Sequence, residues 1–139
     1  LRCGATLVDD SYNANPGSLA VAIDTLAEAG GEAWLVLGDM RELGVDEVAL
    51  HAEAGARARI AGISRLFALG ELSAHAAREF GEGGSVHASH AALVDALWTQ
   101  LHAGTTVLVK GSRGSAMDKI VAALLQRDAG PDGETTDAA

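Results

Sequence analysis

The stretch AWLVLGDMRELGVDEVALHAEAGARARIAG, residues 33–62, decides the fold. Its first part, AWLVLG (33–38), is apolar at nearly every position. A strand covered on only one sheet face alternates polar and apolar residues; one covered on both faces reads as a continuous apolar run. The next part, GDMRELG (38–44), is polar and bracketed by glycines, so it reads as a loop. From Asp46 the spacing changes to that of a helix, with Val48, Leu50, Ala54 and Ile60 as its apolar positions and Gly62 to end it. A buried strand, a polar loop and a helix in that order form a βα unit.

The same unit recurs along the chain. Strand-like runs occur at ATLVD (5–9), RLFALG (65–70), SVHAS (85–89) and TTVLVKG (105–111). Helical spacing follows each. Leu19, Ala22, Ile23, Leu26 and Ala27 form one stripe, and ELSAHAAREFG (71–81) is a shorter helix. Leu93, Leu97 and Leu101 recur every four residues, and Met117, Ile120, Val121, Leu124 and Leu125 form a last stripe. Gly30, Gly62, Gly81 and Gly104 each follow an apolar turn, where a left-handed C-cap is expected. Strand–helix alternation of this kind predicts an α/β, Rossmann-like three-layer domain, a mostly parallel sheet flanked by helices. The domain is expected over residues 1–127. The tail at 128–139 is small, polar and acidic, and is expected to be disordered.

The chain has 139 residues and is 48% hydrophobic, enough for one domain with its own core. It starts at Leu1 without Met and is read as a piece of a longer protein. No run approaches the roughly 20 apolar residues of a membrane span, and Leu1–Val8 has neither the basic region nor the apolar core of a signal peptide. Ten basic and nineteen acidic residues give a net charge of −9. That balance argues against general nucleic-acid binding, which needs surplus Lys and Arg. It leaves room for a small anion held by local donors. Cys3, the single cysteine, forms no internal disulfide, fits a reducing cytoplasm, and reads as a small apolar filler.

In a parallel α/β sheet, ligands sit beyond the carboxyl ends of the strands, so the loops after each strand carry the candidates. In DDSYNANPGS (9–18), Asn15 is a good N-cap and Pro16 fits the first helical turn. Asp9, Asp10, Tyr12 and Asn13 are not needed for that. Carboxylates at the end of a buried strand are costly unless paired or facing a ligand. In VKGSRG (109–114), Lys110 and Arg113 flank Gly111 and Ser112 just before a helix, a combination that suits an anion. In LGDMRELG (37–44), Asp39 and Arg41 are placed to meet a polar ligand. Histidines 51, 75, 87, 90 and 102 show no metal spacing and read as surface residues, with no metal site expected. No G-x-x-x-x-G-K-[ST] phosphate loop and no G-x-S-x-G elbow is present.

In order and spacing, DDSYNANP (9–16), LGDMRELG (37–44), RLFALGELS (65–73) and VKGSRGSAMDKIV (109–121) resemble the C-terminal domain of the Mur ligases. DSYNANP and KGSR…M are most similar to the members that add a D-alanyl-D-alanine dipeptide. Asp118 stands where that family more often has Glu, and either carboxylate suits a first helical turn. The resemblance implies a parent enzyme with three domains, of which this is the last. It closes over a site whose phosphate loop and Mg²⁺ ligands lie mainly on the central domain. It implies ATP-dependent amide-bond formation in peptidoglycan synthesis: ATP phosphorylates the carboxylate of UDP-MurNAc-tripeptide, and the amine of D-Ala-D-Ala attacks. The implied cofactors are ATP and Mg²⁺. Asp10, Asn13 and Asn15 would meet the nucleotide, Lys110 and Arg113 would be catalytic, and Asp39, Met40, Ser112 and Arg113 would bind the dipeptide. The N-terminal and central domains of the parent chain are the implied packing partners, and the implied location is cytoplasmic. The fragment alone is expected to be inactive. The alternative is a stand-alone α/β module that binds a small ligand.

Overall fold

A computed structural model describes residues 1–11 and 14–138, with the side chains of 131–138 outside the description. Five strands are present: β1 (Thr6–Asp10), β2 (Glu32–Gly38), β3 (Arg65–Leu69), β4 (Gly84–His87) and β5 (Thr105–Lys110). Each is followed by a helix: α1 (Pro16–Ala27), α2 (Glu47–Ala61), α3 (Ser73–Phe80), α4 (His90–Gln100) and α5 (Asp118–Ala138). The strands form one sheet in the order β1-β5-β2-β3-β4, with every pair parallel. Among the described residues no helix is long and apolar enough to cross a membrane.

The apolar run of β2 shows why both faces are covered. Leu35 and Leu37 join a core with Leu19, Ile23 and Leu26 of α1, Ala54 and Ala58 of α2, and Phe80 of α3. Trp34 and Val36 point the other way, against Leu93 and Leu97 of α4 and Ile120 and Leu124 of α5. Period-two alternation thus divides one continuous run between two cores. Helices α1, α2 and α3 cover one face and α4 and α5 the other.

That division locates the cleft. The chain leaves β5 toward the α4/α5 face, while its neighbours β1 and β2 send theirs to the opposite face. Connections that part in this way open a crevice at the carboxyl end of β5, the switch point where α/β sheets take ligands. A second parting lies between β3, which leads into α3, and β4, which leads into α4.

Local signals explain most element ends. Asn15 caps α1: its Oδ1 accepts the Ser18 N–H at 2.9 Å, and Ser18 Oγ accepts the Asn15 N–H at 3.2 Å. This reciprocal pair satisfies two otherwise unpaired backbone donors. Gly62 ends α2 in the left-handed conformation at φ 93. The other expected glycine caps differ. Helix α1 closes on Glu28 and α4 on the extended Leu101, leaving Gly30 and Gly104 in the connections, while Gly81 follows α3 at φ 79, ψ −130, outside the left-handed helical region. Helix α5 begins at Asp118, after a 3-10 turn at Arg113–Ser115 and a left-handed Ala116, and its helical geometry breaks at Gly130.

The apolar stripe expected of α2 is corrected. Val48 is 44% and Ile60 80% exposed, and the buried residues are His51, Ala54, Gly55 and Ala58. Small residues take the inner face because α3 lies very close. A Cβ added at Gly55 would sit 2.0 Å from the Ala76 carbonyl oxygen.

Candidate active-site cleft

The two outer anchors of the sequence reading meet as an ion pair. Parallel pairing sets Asp10 beside Lys110, and Lys110 Nζ donates to Asp10 Oδ2 at 2.6 Å. The lysine side chain is 2% exposed and the aspartate 49%. A buried ammonium is tolerated only when paired, so this contact ties the ends of β1 and β5 together. Asp9 has a different task. Its Oδ1 accepts the Ser11 N–H at 3.1 Å and the Ser11 hydroxyl at 2.6 Å, a side-chain turn that starts the loop. Asn13 lies outside the described residues. With its oxygen committed to the cap, Asn15 keeps its amide N–H groups for the cleft it lines.

The loop after β2 is laced to three neighbours by three successive residues. Asp39 Oδ1 accepts the Ser73 N–H at 2.8 Å and the Ser73 hydroxyl at 2.7 Å, which fixes the start of α3. Gly70 makes room for that carboxylate, since a Cβ there would lie 2.3 Å from Asp39 Oδ1. Met40 is fully buried in the core with α1, α2 and α3, and its N–H donates to His51 Nε2 at 2.9 Å. The Arg41 N–H donates to Ser112 Oγ at 2.8 Å, and the Ser112 N–H returns to the Asp39 carbonyl at 3.2 Å. Having accepted from Arg41, the Ser112 hydroxyl retains its proton for a ligand.

The glycines of LGDM and KGSR serve each other. Cβ atoms added at Gly38 or Gly111 would each lie 2.5 Å from Met117 Cγ, and the one on Gly111 would also lie 3.3 Å from Gly38 Cα. What approaches these glycines closely is therefore the chain itself. Two non-glycine residues hold positive φ in the loops beside them, Glu42 at 61 and Ala116 at 54. Such strain is concentrated where loop shape is over-determined.

Two cavities follow from the two partings of the chain. The larger, about 1480 Å³, is lined by Asn15, Asp39, Arg41, Ser112 and Arg113 among others. The smaller, about 700 Å³, adds His75, Arg78, His87 and His90. Asp39, Arg41, Gly70, Glu71 and Gly114 line both, so the cavities form one cleft with Arg41 at its waist. Burial holds the His87 imidazole below its ordinary pKa. Arg113 is exposed on the cleft wall. Of the expected site residues, Asn15, Asp39, Ser112 and Arg113 line the larger cavity, whereas Lys110 and Met40 sit beneath it.

Reading the histidines as surface residues is corrected at His51, which is fully buried. Its Nδ1 lies 2.6 Å from the Glu47 carbonyl and its Nε2 accepts from Met40, so both ring nitrogens are satisfied. The spacing held a signal: His51 lies three residues before Ala54 and seven before Ala58, on the inner stripe. Gly70 and Ser73 fall in the RLFALGELS segment that carries the resemblance, but only the position of Asp39 gives them a role.

The family described as "Mur ligase, glutamate ligase domain" matches residues 2–113. The UDP-N-acetylmuramoyl-tripeptide--D-alanyl-D-alanine ligase of Escherichia coli is 43% identical over 120 residues, 85% of this chain and 26% of that protein. The same-named ligase of Bacillus subtilis is 36% identical over 134 residues, 88% of this chain and 28% of that protein. Among solved structures, a MurF ligase from Thermotoga maritima in complex with ADP superposes with TM-score 0.75 at 26% identity, covering 87% of this chain and 28% of that one. MurF from Acinetobacter baumannii gives 0.76 at 27% identity, over 86% and 27%. This chain therefore spans between a quarter and three tenths of the length of these relatives. With a match this long, the chain belongs to the Mur ligase family, as its C-terminal domain.

Proposed function

We propose that this domain closes the active site of a cytoplasmic, ATP-dependent ligase that joins D-Ala-D-Ala to UDP-MurNAc-tripeptide in peptidoglycan synthesis. One observation carries the reading: the loops after β1, β2, β3 and β5 converge on a single cleft at the switch point of the sheet. The names of its relatives supply the substrates.

The chemistry fits the side chains. An acyl phosphate carries negative charge on its oxygens, and attack by an amine adds more at the tetrahedral centre. Arg113 and the Ser112 hydroxyl face the cleft and supply a cation and a donor there, preorganised by the bond from Arg41. The Lys110–Asp10 pair holds the β5 loop in place from beneath and adds its field. Asn15 supplies the nucleotide side of the cleft, beside the strand end that carries Asp10. Asp39 and Met40 shape the dipeptide side from below. The dipeptide's amine points toward Ser112, and its carboxylate extends into the arm with Arg41, His75 and Arg78. ATP brings the phosphoryl group, and Mg²⁺ neutralises its charge when bound. The family resemblance puts the ion's ligands mainly on the central domain of the parent chain. Closure against that remainder completes the site.

The test is kinetic, in the parent enzyme. Arg113→Ala and Lys110→Ala should each lower turnover with D-Ala-D-Ala by at least roughly tenfold, as loss of a charge-assisted contact does. Asp10→Asn should chiefly raise the KM for ATP. Wild-type turnover in both alanine variants would remove the β5 loop from the mechanism.

A further inference from the structure

We infer that His51, buried in α2 just behind the cleft wall, is a positioning residue that sets Arg41 through the backbone of Met40; the inference rests on the ligase reading above. The geometry is closed at both ring nitrogens. A carbonyl oxygen can only accept, so the contact of Nδ1 with Glu47 O at 2.6 Å places the proton on Nδ1. An amide N–H can only donate, so the 2.9 Å contact with Met40 requires a lone pair on Nε2. Both conditions are met by the neutral Nδ1–H tautomer alone. The Glu47 carbonyl, one turn earlier on the same helix, holds the ring, and the ring holds Met40. The next residue, Arg41, is fastened on its other side by Ser112 Oγ.

Arg41 is thus held between a histidine of α2 and a serine of the β5 loop, and it lines both cavities at the waist they share. Met40, fully buried itself, cannot yield without disturbing the core. Without the acceptor on His51, the Met40 N–H is a buried donor with no partner. The loop must then shift to hydrate it, and Arg41 shifts with it. The expected consequence falls on binding the amine substrate, because Arg41 lies on the arm assigned to the dipeptide. The β5 loop keeps its own tie through the Ser112 N–H to the Asp39 carbonyl, so the effect on chemistry is the smaller one.

The test compares His51→Leu, which fills the site but accepts nothing, with His51→Gln, whose side-chain oxygen reaches the Nε2 position. In the parent enzyme, His51→Leu should raise the KM for D-Ala-D-Ala at least fivefold, with a smaller fall in kcat. It should also speed amide exchange at least tenfold in a peptide covering 39–43, leaving β3 and β5 protected. His51→Gln should restore most of both. A folded His51→Leu enzyme with wild-type KM overturns the inference, and so does a His51→Gln variant no better than leucine. If the wild-type enzyme does not use D-Ala-D-Ala at all, the ligase reading fails, and the clamp stands or falls on the exchange of 39–43 alone.

Discussion

Replacing Gly55 by alanine is the sharpest probe of how α2 and α3 hold the cleft loops. The glycine lies inside α2 with ordinary helical geometry, so the substitution raises helix propensity by about 1 kcal/mol. Packing opposes it. The new Cβ would lie 2.0 Å from the Ala76 carbonyl oxygen and 2.7 Å from its carbonyl carbon. These are backbone atoms of α3, which no rotamer change can move. An ordinary carbon–oxygen contact needs more than about 3 Å, so the helices must part by about 1 Å along that contact. Forced separations in a packed core cost about 1–3 kcal/mol, occasionally more, and here Ala54, Ala58 and Ala77 lose contact together. Because the clash is with backbone, the cost falls at the upper end, about 3 kcal/mol; less the propensity gain of about 1, the net loss is near 2 kcal/mol, or roughly 6–10 °C in Tm for a domain of this size. Gly17→Ala in the first turn of α1 is the control, because its Cβ meets nothing nearer than Asn15 Oδ1 at 3.4 Å. Urea melts of the two variants decide the matter. Gly55→Ala as stable as wild type would show that the α2–α3 distance is not set by that glycine.

Other expectations follow from the same contacts. Asp39→Asn keeps an oxygen for Ser73 and should cost less than about 1.5 kcal/mol, whereas Asp39→Ala strands a buried N–H and hydroxyl and should cost about 3; equal urea midpoints would mean charge, not hydrogen bonding, fixes α3. The Asp10–Lys110 pair should be asymmetric. Lys110→Met frees a half-exposed carboxylate and should cost about 1–2 kcal/mol, while Asp10→Ala takes a carboxylate from a buried ammonium and should cost more; the reverse order in denaturant melts would contradict the burial assignment. Histidine titrations should diverge. The Ala103 carbonyl and the Glu32 carboxylate raise the His102 pKa, so its share of stability is complete below its ordinary value of about 6.5 and is lost as pH rises through the folded value. Burial lowers the His87 pKa, so the unfolded chain binds more protons and stability falls as pH drops below about 6.5. Imidazole NMR shifts showing His87 titrating above His102 would refute both assignments.

The layered fold was open to reading because its cause is local. Runs such as AWLVLG and the VLV of TTVLVK are apolar at consecutive positions, and only a sheet covered on both faces asks for that. The cleft was legible in the polar loops after the strands, where Asp39, Ser112 and Arg113 line it together with Asn15, whose cap role was also readable. What stayed hidden depends on distances between elements. Nothing in KGSR shows that Lys110 lies beneath the cleft on Asp10, because that follows from strand register. Nothing in LGDM shows that Met40 points inward while its amide is held by a histidine eleven residues on. The inner stripe of α2 was misread because close helix approach favours alanine and glycine, which carry little hydrophobic signal, over the exposed Val48 and Ile60.

The central claim is that one cleft at the carboxyl ends of the strands receives both nucleotide and dipeptide. Backbone NMR shifts of this chain, followed while a non-hydrolysable ATP analogue and then D-Ala-D-Ala are added, test it most directly. The account predicts that the ATP analogue perturbs residues near Asp10, Asn15 and Lys110, and that the dipeptide adds shifts at 39–43, 70–75 and 111–114. Perturbations confined to the opposite ends of the strands, or to the outer faces of α4 and α5, would contradict it.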